Sequence, residues 1–342
     1  MTKQTQQKPG NFTEQQIRPA ELVKGQKVAL ITDIGRLLTK RKDFIFISCP
    51  ACNSEKSYPK FEKFGLNYEE CSACRTIYIT PRPTPDILRW FYRNSENYAY
   101  WNKYIFPASE QARRENIMVP RVEEILRYCD KYNVARNSIL EVGAGFGTFC
   151  EEMQARKGFK HIVGVEPTPD LAQTCRKKGI EVIESPIEKI NFESEQLFDV
   201  IVNFEVIEHL FSPKDFIFQC KKALKKNGLF FVTCPNGLGF DVITLQTLSK
   251  TIDHEHLNYF NPESLKLLLT DVGFEVLEIL TPGRLDAELV RNEILAGHYD
   301  VSDQPFLKKM LIDEWESLGP VFQQFLSDNL LSSNMMIIAK NE

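Results

Sequence analysis

A chain of 342 residues with 43% hydrophobic content can hold two domains and a sizeable core. Its formal charge of -4 lacks the basic excess that a phosphate-backbone binder presents. Nine cysteines, no apolar run of the roughly eighteen residues that span a membrane, and no apolar leader at the start point to a reducing, cytoplasmic setting.

The first segment (1–20) is polar and Gln-rich and reads as a disordered tail, followed by a lead-in over 21–44. Cys49-Pro-Ala-Cys52 and Cys71-Ser-Ala-Cys74 are two C-x2-C pairs separated by 18 residues, a zinc-ribbon spacing. Four thiolates close a tetrahedral shell, so the metal of a ribbon over 45–82 is expected to be structural zinc, with iron as the rival. Ribbons also read nucleic acid, and Lys56, Lys60, Lys63 and Arg75 interleave with Tyr58, Phe61, Phe64 and Tyr68. The intervening Glu55, Glu62, Glu69 and Glu70 argue against that, and the aromatics suit the core of a small stapled module. A proline-rich connector, Tyr78 to Pro85, leads into an aromatic-dense helical stretch over 83–132 containing Trp90, Tyr92, Tyr98 and Trp101. That stretch serves either as helix packing or as a wall of an acceptor pocket.

From Ser138 the pattern changes. A buried strand to Val142 is expected to enter a loop with Gly143, Gly145 and Gly147, followed by a helix from Thr148 to Lys157. The dinucleotide fingerprint places its third glycine one residue later and does not explain Glu141. A carboxylate there suits a ligand carrying an ammonium and a sulfonium. The next strand, His161 to Val165, ends at Glu166-Pro167, placed to reach a ribose hydroxyl. The run Glu141-x-Gly143-x-Gly145-x-Gly147 resembles the first motif of class I S-adenosylmethionine-dependent methyltransferases. That resemblance implies a methyl donor held by Glu141, the three glycines, Glu166 and Pro167.

Downstream segments follow the same order. A helix to Lys178 is closed by Gly179, and a third strand, Ile180 to Ile183, precedes Ser185 and Ile187. In the family this turn often carries an acid on the adenine amine, so Ser185 departs from the commoner Asp. A fourth strand from Phe198 runs to Asn203-Phe204-Glu205, which the resemblance places at the methionine end of the cofactor, and Glu208-His209 follows. A helix over Lys214 to Lys226, a fifth strand over Leu229 to Thr233, and strands at Phe274 to Leu280 and Met335 to Ala339 complete the pattern. The alternation predicts an α/β fold, doubly wound and Rossmann-like. The resemblance adds a mostly parallel sheet with its last strand antiparallel. The core spans 133–284 and 329–342, with a helical insertion over 285–328.

Asp253-His254-Glu255-His256-Leu257-Asn258-Tyr259-Phe260 lies just past the fifth strand, where catalytic groups gather in such sheets. It resembles a segment of methyltransferases acting on quinone rings and sugars. His256 is the expected base, with His254, Tyr259 and His209 as rivals. A metal held by His254 and His256 lacks an evident third ligand. A ribbon joined to this catalytic domain resembles bacterial sugar C-methyltransferases and methyltransferases of surface-polysaccharide and natural-product pathways. The expectation is methyl transfer from S-adenosylmethionine to a small or carrier-linked acceptor, a sugar or sugar nucleotide first. The alternatives are an RNA or protein methyltransferase using the ribbon as a reader, and a non-catalytic scaffold.

Overall fold

The computed structural model describes residues 12–193 and 196–342. Of the expected tail, residues 1–11 lie outside the described residues, but the rest is ordered. Glu14–Ile17 is a short helix with Thr13 and Gln16 forming a capping box, and Glu14 is buried. The lead-in is a 19-residue helix, Ala20–Leu38, whose inner stripe is Ala29, Asp33 and Leu37.

Two sheets follow. The smaller joins β1 (Ser57–Lys63), β2 (Leu66–Cys71) and β3 (Ile77–Ile79), with a Phe64-Gly65 turn between the first two. Both turn residues have positive φ, 57° and 70°, the left-handed geometry of tight hairpins. The larger sheet contains β4 (Ser138–Val142), β5 (His161–Val165), β6 (Glu181–Ile183), β7 (Phe198–Phe204) and β8 (Leu224–Pro235). The short β9 (Asn258–Tyr259) pairs not with these but with β3, completing the four-cysteine module's sheet from 180 residues downstream. Then come β10 (Phe274–Leu280) and β11 (Asn334–Asn341).

The seven-stranded order is β10-β11-β8-β7-β4-β5-β6, with β11 antiparallel to both neighbours and the five strands from β8 to the β6 edge parallel. Side chains alternate between its two faces. Leu140, Ile201, Phe230 and Val232 enter one apolar cluster, while Ile139, Val200, Val202 and Phe231 enter the other. The chain leaves β4 towards β5 on one side and β7 lies on the other. That switch point is where open α/β sheets bind ligands, at the carboxyl ends of the strands.

The helix expected to reach Lys226 ends at Ala223, and residues 224–228 open β8 instead. Asn227, at φ 63°, makes the bend there. The stretch after the connector is a run of helices from Pro85 to Lys131, with two π-helical turns, Trp101–Ile105 and Arg114–Met118. Residues 286–328 form the helical insertion, packed through Ala287, Val290, Leu311 and Phe322.

Arg82 locks the module to the main sheet. It is fully buried without a carboxylate partner, and its guanidinium donates to the carbonyls of Ile79 (3.0 Å), Phe211 (3.3 Å) and Leu257 (3.2 Å) and to Asn258 Oδ1 (2.9 Å). Lys63 adds donations to Ser249 O (2.8 Å) and Ile252 O (2.7 Å), and Asn261 donates to Cys74 O (2.9 Å). Buried hydrogen bonds to a charged donor are costly to remove singly, so these contacts make the module and the 249–261 loop one unit.

Candidate functional site

The glycine turn closes over the end of β4. Gly143 and Gly145 have φ of 84° and 55°, and Gly147 has 71°. The left-handed φ of Gly147 favours glycine, and a Cβ there would also lie 2.4 Å from Ile180 Cδ1. A Cβ on Gly145 would meet nothing within 4 Å, so this glycine borders open space. Its N–H donates to Glu166 Oε2 (2.9 Å), while Glu166 Oε1 accepts from Thr168 N (2.8 Å). The buried Glu166 carboxylate is thus aimed along the loop by two backbone donors, and burial still raises its pKa. Pro167 beside it is exposed.

Glu141 is 4% exposed and accepts from Cys150 Sγ (3.1 Å). Burial pushes its pKa up to about 8. The sign follows. From the ordinary value of 4.5 up to about 8, the unfolded chain has lost this proton while the folded chain keeps it. Unfolding then releases a proton, so this group's contribution to stability is full below 4.5 and is lost as pH rises through 8. Chemical denaturation of ligand-free protein should show stability declining across that window, by up to roughly a factor of ten in the folding constant per pH unit. Glu141→Gln should flatten the decline; an unchanged slope would refute the assignment.

Across the switch point, Asn203 is fully buried and donates to Val142 O (3.0 Å), while its Oδ1 has no partner. Phe204 packs on Phe149, ring centroids 5.0 Å apart, with the Arg121 guanidinium 4.6 Å from its ring. Glu205 takes φ 55°. Its Oε1 accepts from Arg121 (3.0 Å), Thr233 (2.6 Å) and Asn334 (3.0 Å), which fixes this left-handed corner. Of the expected adenine contacts, Ile187 is a core side chain, 2% exposed, and Ser185 Oγ donates to the carbonyl of Pro186 (3.1 Å). The Ile187 side chain is therefore part of the core, a correction to its expected adenine contact, while Ser185 lies partly exposed on the same turn.

The 253–260 loop separates the four candidate bases. Tyr259 is fully buried; its hydroxyl accepts from Asp253 N (2.8 Å) and lies 3.3 Å from Thr251 O, so it is a core strut. His254 has no exposed side-chain surface, pairs with Asp253 and packs edge-on to Phe64 and Phe91. Burial works against its charge, yet Asp253 and Glu255 raise its pKa overall. Both residues are therefore structural, a correction to the expectation that either rivals His256. His209 and His256 come together, ring centroids 4.7 Å apart. Burial and His256 push His209 down to about 3, and burial also lowers His256, so both are neutral near pH 7.

Several supporting residues carried no motif. Asp33, from the first long helix, accepts from Ser95 Oγ (2.6 Å), Glu96 N (2.9 Å) and Asn97 N (2.8 Å), and Asn97 donates to Glu255 Oε1 (2.9 Å). A carboxylate on the helix's inner stripe at four-residue spacing was the available signal. Tyr92 edges onto His209, centroids 6.5 Å apart, and Tyr98 lies edge-on to Tyr92 at 6.3 Å.

The four cysteines of the module converge. Sγ of Cys49 and Cys74 are 3.5 Å apart, as are those of Cys52 and Cys71, and all four lie within 4.8 Å of one another. Tetrahedral zinc with bonds of about 2.3 Å needs sulfurs roughly 3.8 Å apart, so the donor set fits such an ion. None of the nine cysteines is joined in a disulfide.

A glycine turn at the switch point of this sheet, with carboxylates on both sides, is the construction of a class I S-adenosylmethionine-dependent methyltransferase, and the chain is an enzyme of that kind. Residues 110–279 match the family model described as a methyltransferase domain. The chain is 26% identical over 170 residues to a ubiquinone biosynthesis O-methyltransferase of Rickettsia akari, covering 46% of this chain and 66% of that protein. It is 28% identical over 136 residues to a probable S-adenosylmethionine-dependent methyltransferase of Mycobacterium tuberculosis, covering 40% and 48%. A solved methyltransferase from Thermotoga maritima, described as a possible histamine N-methyltransferase, aligns over 71% of this chain and 98% of its own at a TM-score of 0.45 and 17% identity. No described helix is long and apolar enough to cross a membrane.

Proposed function

We propose that the protein transfers the methyl group of S-adenosylmethionine to a small or carrier-linked acceptor, a sugar or sugar nucleotide, in glycan or natural-product assembly. The observation that carries the acceptor reading is β9: the strand immediately after His256 is paired into the four-cysteine module. The module therefore belongs to the acceptor side rather than to a separate reader. Tyr92 beside His209, and Tyr98 against Tyr92, offer the aromatic faces on which a sugar or ring stacks.

Residues able to hold the donor are Glu141 and Glu166 for its ammonium and ribose, the Gly143–Gly147 backbone, and the Asn203–Glu205 corner with the unpartnered Asn203 Oδ1. The donor supplies a methyl carbon on a positive sulfur. This chain's part is to hold the acceptor atom in line with that carbon and to accept its proton. His256, neutral and partly exposed, is the residue proposed to take it, with Glu208 and His209 adjoining. Zinc in the four-cysteine cluster is structural, since all four places are filled by protein. Nine unpaired cysteines agree with a reducing cytoplasmic location.

A second reading, O-methylation of a quinone-type ring, is favoured by the printed name of the Rickettsia relative. Isotope-labelled S-adenosylmethionine, offered with a panel of nucleotide sugars and catechols, tests both. Label is expected on a nucleotide sugar. Label on catechols alone selects the second reading, and absence of cofactor binding rejects the enzyme class. His256→Ala should lower turnover by roughly a hundredfold or more while leaving cofactor affinity within a few-fold; an unaffected rate removes it from the chemistry.

A further inference from the structure

Glu208 is the least explained side chain in the molecule. It is 1% exposed, and neither carboxylate oxygen has a hydrogen-bond partner. A buried carboxylate left without a donor is costly, and native structures normally give such a group a partner. Its neighbours are the two neutral histidines: one ligand atom each from Glu208, His209 and His256 lie within 4.8 Å of one another. His209 Nε2 stands 3.9 Å from Glu208 Oε1, too far for a hydrogen bond.

The tautomers are set by the backbone. His209 Nδ1 lies 3.1 Å from Glu255 O, and His256 Nδ1 lies 3.0 Å from Thr251 O. A carbonyl can only accept, so each Nδ1 carries the proton and each Nε2 presents a lone pair. Metal-ligating histidines are held this way, the outer nitrogen donating to a carbonyl while the inner one binds the ion. Glu205, three residues before Glu208, stays outside the set with its Oε1 committed to Arg121, Thr233 and Asn334.

We propose that Glu208, His209 and His256 bind a divalent first-row metal ion, distinct from the ion of the four-cysteine module. Two imidazoles and one carboxylate suit zinc, iron or cobalt and leave coordination positions open, unlike a closed four-thiolate shell. On the reading of this centre as the acceptor side, the open positions take an acceptor hydroxyl. The bound hydroxyl loses its proton to solvent more readily, its oxygen lone pair forms the bond to the methyl carbon, and the carbon–sulfur pair stays on sulfur. The ion keeps its oxidation state throughout. His256 then acts as a ligand, and the metal takes over the activation otherwise assigned to a free base.

The test uses the full-length protein without S-adenosylmethionine, so its failure is separate from failure of the methyltransferase reading. Protein dialysed against a mild chelator is expected to retain one metal in the cysteine module by elemental analysis. Titration with cobalt(II) should then fill a second site of one equivalent per chain, with weak visible bands and no added thiolate charge-transfer absorption. Glu208→Gln and His256→Asn should each weaken that second site at least tenfold while retaining the first metal. Circular dichroism checks the fold, and if one variant does not fold the other carries the test. A missing second equivalent, a second equivalent with thiolate bands, or unchanged cobalt affinity in a folded variant would overturn the proposal.

Discussion

Replacing Glu166 by Ala should weaken S-adenosylmethionine binding by roughly 10- to 100-fold, with little loss of fold. Glu166 does two jobs at once in this structure. Its two oxygens accept from Gly145 N and Thr168 N, which holds the glycine turn against the end of β5. On the proposed reading the same carboxylate also accepts from the ribose. Hydrogen bonds to a charged group contribute about 1.5–3 kcal/mol each, and each 1.4 kcal/mol is about tenfold in affinity. Gln keeps one acceptor, so Glu166→Gln should fall between Ala and the native protein. Calorimetric titration with the cofactor and its demethylated product measures the effect. Affinity within twofold of native for the Ala variant would exclude Glu166 from the site.

The second large effect concerns the cysteine module. Cys71→Ser, or a strong chelator, should abolish methyl transfer while leaving cofactor binding largely intact. A four-thiolate zinc site contributes about 10–16 kcal/mol to the folding of a small module, far more than its modest core supplies. On the proposed zinc reading, loss of the metal deprives β1 to β3 of their staple and β9 of β3, its one sheet partner among the described residues. His256 is two residues before β9, and displacement of a reacting group by about 1 Å can cost a hundredfold in rate. The glycine turn and Asn203 belong to the seven-stranded sheet, one of whose apolar clusters contains no module residue, while the other takes in Cys49, Ala51, Cys71 and Tyr78 beside many sheet residues. Hydrogen exchange should therefore show protection lost over 57–79 and 257–260 and retained over 138–165. Loss of protection across both sheets together would show that the module also holds up the core.

How much of this was legible beforehand depends on the range of the interactions. The strands at Ser138–Val142, His161–Val165 and Phe274–Leu280 lie where hydrophobic patterning puts them, because a buried strand needs apolar residues at short spacing. The C-x2-C pairs were equally plain, since each knuckle is a local turn. Helix and strand were confused at 224–228, where Lys225, Lys226 and Asn227 have polar side chains, and pairing of Leu224 with Phe198 decided the matter. Tertiary context overrode local pattern there.

The candidate bases show the limit more sharply. Within Asp253 to Phe260, spacing gives His254, His256 and Tyr259 equal standing. Burial against Phe64 and Phe91 retires His254, and hydrogen bonds to the loop's own backbone retire Tyr259. Only the approach of the 207–209 turn gives His256 its partners, Glu208 and His209, from 48 and 47 residues upstream.

By itself, the sequence determined the glycine turn proposed to cradle the methyl donor and the paired-cysteine knuckles, since a turn, a strand end and a paired-cysteine bend are written in consecutive residues. Tertiary structure decided the surroundings of the proposed acceptor side: β9 joining the cysteine module, Arg82 tying both to the 207–211 turn, and Glu208 left buried beside two neutral histidines. Those contacts join residues far apart in the chain, and no local spacing encodes which buried polar groups end up without a partner.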